Sequence, residues 1–305
     1  MKKILLSIIK LFKLKIEKIP NYSNNILLEK GQSYPDRFRE IRSDPINIFI
    51  ERTADAGYVD KNNCVILHNG NRVPLAGDFA YYEGFSDILI FNRGVHEPLE
   101  EYCFQEMLKK IKIKSPIIIE LGAYWAHYSM WVKKKFPEAK CYMIEPELKN
   151  LECGKNNFRI NNFDGKFIND SIQNSETGGG FQLDVFASKK KLTSINIFHC
   201  DIQGYEVPML QGTKFIFENQ IVDYAFISTH SEAIHKWVIK EFEKFKYKIE
   251  VSSGFDNHTT SYDGFVLASS PKSDPIFKSF FPLGRLEILK SSPKELIEYI
   301  KSISI

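Results

Sequence analysis

No stretch of the sequence approaches the ~20 uninterrupted apolar residues of a membrane-spanning helix, so a chain threaded through a bilayer is not expected. It lacks a CxxC pair, and its five cysteines, at positions 64, 103, 141, 153 and 200, are odd in number and widely scattered. That excludes a secreted-style disulfide framework, lends no support to a structural zinc site, and reads as reduced thiols in a cytosol. An excess of one charge is also missing: 41 Lys plus Arg stand against 38 Asp plus Glu, a formal +3. Such a balance does not suit a protein whose main task is gripping polyanions, and nucleic acid is not the expected partner. No internal repeat is visible. What is present is 305 residues with 43% hydrophobic content, enough to bury a large core in one large domain or two modest ones.

Residues 1–19 set Lys2, Lys3, Lys10, Lys13, Lys15 and Lys18 around Ile4, Leu5, Ile8, Ile9, Leu11, Phe12, Ile16 and Ile19 at helical spacing. Lys10 and Lys13 interrupt the apolar run and no small-residue cleavage site follows, which argues against a signal peptide. The amphipathic basic helix either packs on its own domain or a second subunit, or rests on an anionic membrane face. Residues 20–95 are rich in Asn, Gly, Pro and Asp, with short apolar runs at 46–50, 64–67 and 88–91 that read as strands and turns of a cap shaping a substrate region.

From residue 96 the pattern changes. A helix over 98–111 is followed by Pro116, and then strands alternate with helices: strands at 117–119, 141–144, 166–168, 195–200 and 224–228, with helices at 128–136, 147–161, 205–218 and 232–245. A turn at 178–180 leads into a hairpin through 181–187, and late strands at 248–251 and 264–268 form an antiparallel edge. Repeated units of this length imply an α/β fold with a mostly parallel sheet covered on both faces. The core spans 96–272, and 273–305 is a helical extension that covers the sheet or pairs subunits in a homo-oligomer.

Sheets of this kind bind ligands beyond the carboxyl ends of their strands. Those ends read Glu120-Leu121-Gly122-Ala123-Tyr124, Glu145-Pro146, Asp170-Ser171, Asp201-Ile202-Gln203-Gly204 and Thr229-His230. Gly122 permits a tight turn and close approach of a ligand, and Glu120 can accept hydrogen bonds from a cationic amine. Glu145, 25 positions later, suits both hydroxyls of a ribose. Only the first glycine of a GxGxxG fingerprint is present, which disfavours a pyrophosphate and points to a nucleoside with a positive amino-acid arm, S-adenosylmethionine.

The stretches Ile119-Glu120-Leu121-Gly122-Ala123-Tyr124-Trp125-Ala126-His127-Tyr128-Ser129, Met143-Ile144-Glu145-Pro146, and Asp201-Ile202-Gln203-Gly204-Tyr205-Glu206 through Leu210-Gln211-Gly212 resemble the FkbM-like family of S-adenosylmethionine-dependent methyltransferases. Glu97-Pro98 is similar too, and the likeness spans roughly residues 95–270. Glu120 stands where the family more often has Asp, Tyr124 where it has Asn, and Ala126 where it has a second Gly. The resemblance implies a Rossmann-like class I methyltransferase sheet of seven strands, mostly parallel with an antiparallel edge. It implies that Glu120, Gly122 and Ala123 hold the methionine part, Glu145 the ribose, and Asp170 with Ser171 the adenine end.

Methyl transfer is an in-line displacement, and a hydroxyl acceptor must also lose a proton. His230 is the first candidate base because imidazole titrates near working pH; Asp201 is the second, able to take the proton, orient the acceptor or hold a metal. His199, Asp201, Glu206, His230, His235 and His258 could supply ligands for a divalent metal such as Mg²⁺, but the five-residue interval from His230 to His235 does not place them on one helical face. Tyr124 and Trp125 could enclose a sulfonium, whereas Tyr128 and Trp131 read as core, as does His199. The expected activity is O-methylation of a sugar, glycan precursor or other small polar metabolite, in the cytoplasm or at a membrane reached through residues 1–19. A nicotinamide-dependent oxidoreductase and a non-catalytic nucleoside-binding scaffold are the alternatives.

Overall fold

The apolar runs that alternate with amphipathic stretches pair into one sheet, and their order in that sheet decides where a ligand can bind. The computed structural model describes residues 34–81, 86–172, 181–257 and 259–303. The basic helix expected at 1–19, the turn at 178–180 and His258 lie outside the described residues. In chain order come α1 (Tyr34–Ser43), a 3-10 turn at Pro45–Ile48, β1 (Cys64–Ile66), β2 (Arg72–Pro74), α2 (Ile88–Phe91) and α3 (Pro98–Lys110). The alternating part follows: β3 (Ile117–Leu121), α4 (His127–Lys135), β4 (Lys140–Ile144), α5 (Leu148–Ile160), β5 (Lys166–Ile168), α6 (Leu183–Lys190) and β6 (Ile195–Cys200). After α7 (Glu206–Gln211) and α8 (Lys214–Glu218) come β7 (Val222–Thr229), α9 (Glu232–Lys244), β8 (Lys248–Ser253), β9 (Gly264–Ser269), α10 (Arg285–Lys290) and α11 (Pro293–Ile303).

β1 and β2 form a small antiparallel pair, and the other seven strands form one sheet in the order β5-β4-β3-β6-β7-β9-β8. Strands β3 to β7 run parallel, while β9 is antiparallel to both β7 and β8. This is the seven-stranded, mostly parallel sheet with an antiparallel edge that the sequence predicts. The chain leaves β3 toward β4 and β5 on one side and returns to β6 and β7 on the other. The crevice at the carboxyl ends of β3, β4 and β6 is therefore the switch point where open α/β sheets receive ligands.

The central strands are apolar on both faces because each is covered twice. Phe104, Phe226 and Phe265 fill one side, and Phe198, Phe217 and Phe242 the other; all are almost wholly buried. All five cysteines are buried thiols. No helix among the described residues is long and apolar enough to cross a membrane.

Four local expectations change, and the first is that the single helix expected over 205–218 is two, α7 and α8. Residues 46–50 are no strand: Pro45 sits at the start of a 3-10 turn, and the Asp44 carboxylate accepts the Ile46 N–H at 2.9 Å. Residues 88–91 form one helical turn, α2. Instead of a hairpin, 181–187 leads into α6, so Lys189 and Lys190 end a helix and Lys191 closes it with φ of 53°. Short apolar runs do not distinguish strand from helix by period alone.

The N-terminal and C-terminal parts meet on the same side of the core. Gln105 of α3 accepts the Glu51 N–H and donates to the Phe49 carbonyl. Buried Arg285 of α10 pairs with Glu40 of α1 at 3.2 Å. Thr260 donates to the Asp44 carboxylate at 2.6 Å. The described residues form one compact unit.

Candidate active site

After β3 the chain must turn while passing close to its neighbours. Gly122 adopts φ of +68°, and a Cβ there would lie 1.7 Å from the Asp201 carbonyl oxygen, so only glycine fits. The Gly122 and Ala123 N–H groups both donate to the Ile144 carbonyl, at 2.9 and 3.1 Å, which ties the loop to the end of β4. Tyr124 and Ala126 continue the turn with φ of 41° and 57°. Gly154 of α5 lets the loop approach, since a Cβ there would meet the Tyr124 carbonyl at 2.6 Å.

These constraints open a cavity of about 730 Å³ beyond the strand ends. Its wall includes Gly122, Tyr124, Glu145, Asn150, Ser171, Asp201 and Tyr205. Glu145 is held from both sides: one carboxylate oxygen accepts the Tyr124 N–H at 3.2 Å and the other the Glu147 N–H at 3.0 Å. Burial nevertheless raises its pKa above the ordinary carboxylate value, against the opposing effect of those two bonds. A carboxylate has about four lone-pair sites, so acceptor capacity remains for a ligand. A second cavity of about 600 Å³, walled largely by residues 75–80 and by Ser86 and Asp87, shares Tyr124 and Asn150 with the first.

Asp201, at the end of β6, belongs both to the main cavity and to an acidic cluster around His230. His230 Nδ1 is 2.6 Å from Glu206, and Nε2 is 3.2 Å from Asp201 and 3.8 Å from Asp263. Burial pulls the imidazole pKa down, but hydrogen bonds to Asp201 and Glu206 and the charge of Asp263 prevail and carry it up to about 10. The ring is a cation at neutral pH. Asp263 moves the other way for a carboxylate: burial and the Asp201 charge push it up to about 7, despite His230. Atoms of Asp201, His230 and Asp263 lie within 4.8 Å of one another, a spacing open to a divalent ion. The imidazolium already supplies counter-charge there.

The structure thus brings Gly122, Tyr124, Glu145, Ser171 and Asp201 to one cavity and sets His230 against Asp201. It does not bring Glu120, Ala123 or Asp170 to the cavity wall. Glu120 shares a face of β3 with Ile118, is 2% exposed, and accepts the Ser129 N–H at 3.0 Å in the first turn of α4. Ala123 is buried in the core, and the Asp170 carboxylate accepts the Ser171 N–H in the exposed loop. Trp125 is buried too, stacked on His127. His199 is in the sheet interior, 2.6 Å from Glu100, and His235 bonds to Thr229 and Ser252. Asp263 and Asn150 are additions. Asp263 escapes a search of strand ends because β9 is antiparallel, so its start, not its end, lies at the crevice.

No family model matches the chain, and no curated protein matches it. Among solved structures it is similar to TrmK from M. capricolum in complex with S-adenosylhomocysteine, at 15% identity over 66% of this chain and 81% of that one, with a TM-score of 0.39. Precorrin-6y C5,15-methyltransferase from Geobacter metallireducens GS-15 gives 12% identity over 58% and 90%, with a TM-score of 0.39. The METTL16 methyltransferase domain gives 9% identity over 55% and 64%, with a TM-score of 0.41.

Proposed function

We propose that the chain is an S-adenosylmethionine-dependent methyltransferase acting on a hydroxyl oxygen of a sugar, a glycan precursor or another small polar metabolite. One observation carries the reading. Glu145, fixed at the end of β4 by two backbone N–H groups, turns its remaining acceptor capacity into the cavity that Gly122 opens after β3. That is where an adenosine ribose presents its diol in sheets of this order.

The residues present fit the cofactor. The cavity volume of about 730 Å³ lies in the range of small-molecule and cofactor sites. Gly122 and Tyr124 line the cavity and would border the methionine end, with the Tyr124 ring where a cation would be attracted. Asn150 and Ser171, also on the cavity wall, would meet the adenine end. Bound there, S-adenosylmethionine supplies a methyl group on a positively charged sulfur. Glu120 acts one step back, by fixing the start of α4 through Ser129.

The protein's own work is alignment and proton removal. Asp201 stands at the junction of the cavity and the acidic cluster, placed to accept a hydrogen bond from the acceptor hydroxyl. His230, expected from sequence as the base, is charged at neutral pH and therefore orients Asp201 and Asp263 instead of taking the proton. We assign the proton to Asp263, which lies within 4.8 Å of Asp201 and whose pKa of about 7 is close to the operating pH, as suits a general base. Residues 75–80 with Ser86 and Asp87, which wall the adjoining second cavity from the cap side, contribute to the acceptor pocket.

Calorimetric titration with S-adenosylhomocysteine and with NAD tests the cofactor. Binding of the former and none of the latter is expected; preference for NAD would make the chain an oxidoreductase. Transfer of labelled methyl across a panel of sugars and polar metabolites then tests the reaction, and binding without transfer would favour a nucleoside-binding scaffold.

A further inference from the structure

A second cluster of ligating groups lies away from the cofactor cavity. His68 follows β1, Glu101 is on α3 and His127 opens α4; their exposures are 1%, 0% and 1%. Ligand atoms of the three lie within 4.8 Å of one another. His68 Nε2 is 2.9 Å and His127 Nε2 3.9 Å from Glu101 Oε2. Nitrogen and oxygen ligands about 2.0–2.1 Å from a tetrahedral zinc ion stand about 3.3 Å apart, and the two separations straddle that spacing.

Hydrogen bonding sets this cluster apart from an ordinary buried ion pair. Glu101 Oε1 accepts the N–H groups of His96 and Glu97, at 2.7 and 3.0 Å, and lies 2.6 Å from His96 Nδ1. Although His68 Nε2 stands 2.9 Å from it, Oε2 makes no hydrogen bond of good geometry, and neither does any ring nitrogen of His68 or His127. One carboxylate oxygen is saturated from behind while the other faces two imidazoles. Leaving buried polar atoms unpartnered costs about 1–3 kcal/mol each, so one such nitrogen from each histidine and a carboxylate oxygen within 4.8 Å of one another call for an occupant. The surroundings are aromatic: Trp131 meets His68 edge-on at 4.3 Å, and Trp125 stacks on His127 at 4.8 Å. His68 also forms part of the wall of a surface pocket of about 370 Å³, which supplies an entry path.

We propose that His68, Glu101 and His127 bind one divalent transition-metal ion of the zinc class, with His96 holding Glu101 in position. Two imidazoles and one carboxylate leave a fourth position for water. The ion ties the loop after β1 to α3 and to the helix that follows the Gly122 turn. This site is independent of the methyl-transfer reading.

The test uses the full chain, stripped with chelator, refilled with Zn²⁺ and passed through gel filtration. Elemental mass spectrometry should find about one equivalent per chain, and the refilled protein should melt at a higher temperature than the stripped one. Titration with Co²⁺ alone should produce ligand-field absorption in the visible range. His68→Gln and His127→Gln should each weaken the metal by about tenfold or more, and His96→Gln by about 10- to 100-fold. Asp201→Asn, in the other cluster, should retain it. Uptake in the wild-type chain below about a tenth of an equivalent overturns the site whatever the variants do. So does wild-type affinity in both His68→Gln and His127→Gln, or loss confined to Asp201→Asn.

Discussion

Glu206, wholly buried in the first turn of α7, holds His230 from beyond β7 through a 2.6 Å contact to Nδ1. The same Glu206 oxygen accepts the Gly204 N–H at 3.1 Å, so one carboxylate fixes both the turn after β6 and the ring after β7. The charge on His230 is therefore set by the fold before any substrate arrives.

Stability should follow that charge. The folded-state pKa of His230, about 10, lies above its ordinary value of 6.5. Its stabilising contribution is fully present below pH 6.5 and is lost as pH rises through about 10. Urea denaturation of wild type between these limits should show falling stability, and His230→Gln should flatten that part of the curve. An equal slope in both proteins would show that the imidazolium contributes nothing.

Turnover should respond to Asp263 differently. With a pKa of about 7, it becomes a competent base only as pH rises past that value, so the rate with an acceptor should climb through neutral pH and then level. Asp263→Asn should lower turnover by about 10²- to 10⁴-fold while leaving affinity for S-adenosylhomocysteine intact. A variant of near wild-type rate would remove Asp263 from the chemistry.

The ribose assignment is tested by Glu145→Ala. Losing a buried, hydrogen-bonded acceptor costs about 1–3 kcal/mol, or roughly 5- to 150-fold in the dissociation constant of S-adenosylhomocysteine. Calorimetry reads this directly, with circular dichroism to establish that the loop held by Glu145 has not unfolded the chain. An unchanged dissociation constant would place the diol elsewhere.

Gly122→Ala should act on the whole site. Its backbone has φ of +68°, and the new Cβ would sit 1.7 Å from a main-chain oxygen of Asp201, an atom that cannot rotate away. Strain and overpacking together should cost about 2 kcal/mol or more, measured as a lower urea midpoint, with weakened cofactor binding. Full stability in this variant would mean that β3 and β6 are less closely pinned than the structure has them.

Much of this was legible in the chain itself, for reasons that differ by element. Ile117 to Ile119 and Ile195 to Cys200 read as central strands because a doubly covered strand has no polar face to hide. Gly122, Glu145, Asp201 and His230 could be found because parallel strands deliver their ends to one rim. Asp263 could not, since it precedes an antiparallel strand. His68, Glu101 and His127 carry no short-range spacing at all; three separate elements bring them together. The residues 181–187 misled because Phe181, Leu183 and Val185 alternate like a strand, whereas Leu183 and Ala187 are buried together on one face of α6.

Glu120 offers the sharpest separation between sequence and structure. Its place at the end of β3 suggested a contact with the cofactor amine, yet alternation along the strand puts its side chain on the same face as Ile118. There it accepts the Ser129 N–H at 3.0 Å, satisfying a donor that the start of α4 would otherwise leave unpaired. Glu120→Ala should therefore lower stability by about 0.5–2 kcal/mol, the range for losing such a cap, while the dissociation constant of S-adenosylhomocysteine stays unchanged in the folded protein. The two effects are separable by measuring binding well below the denaturation midpoint. If binding falls and stability holds, the carboxylate faces the ligand after all, and the start of α4 finds its partner elsewhere.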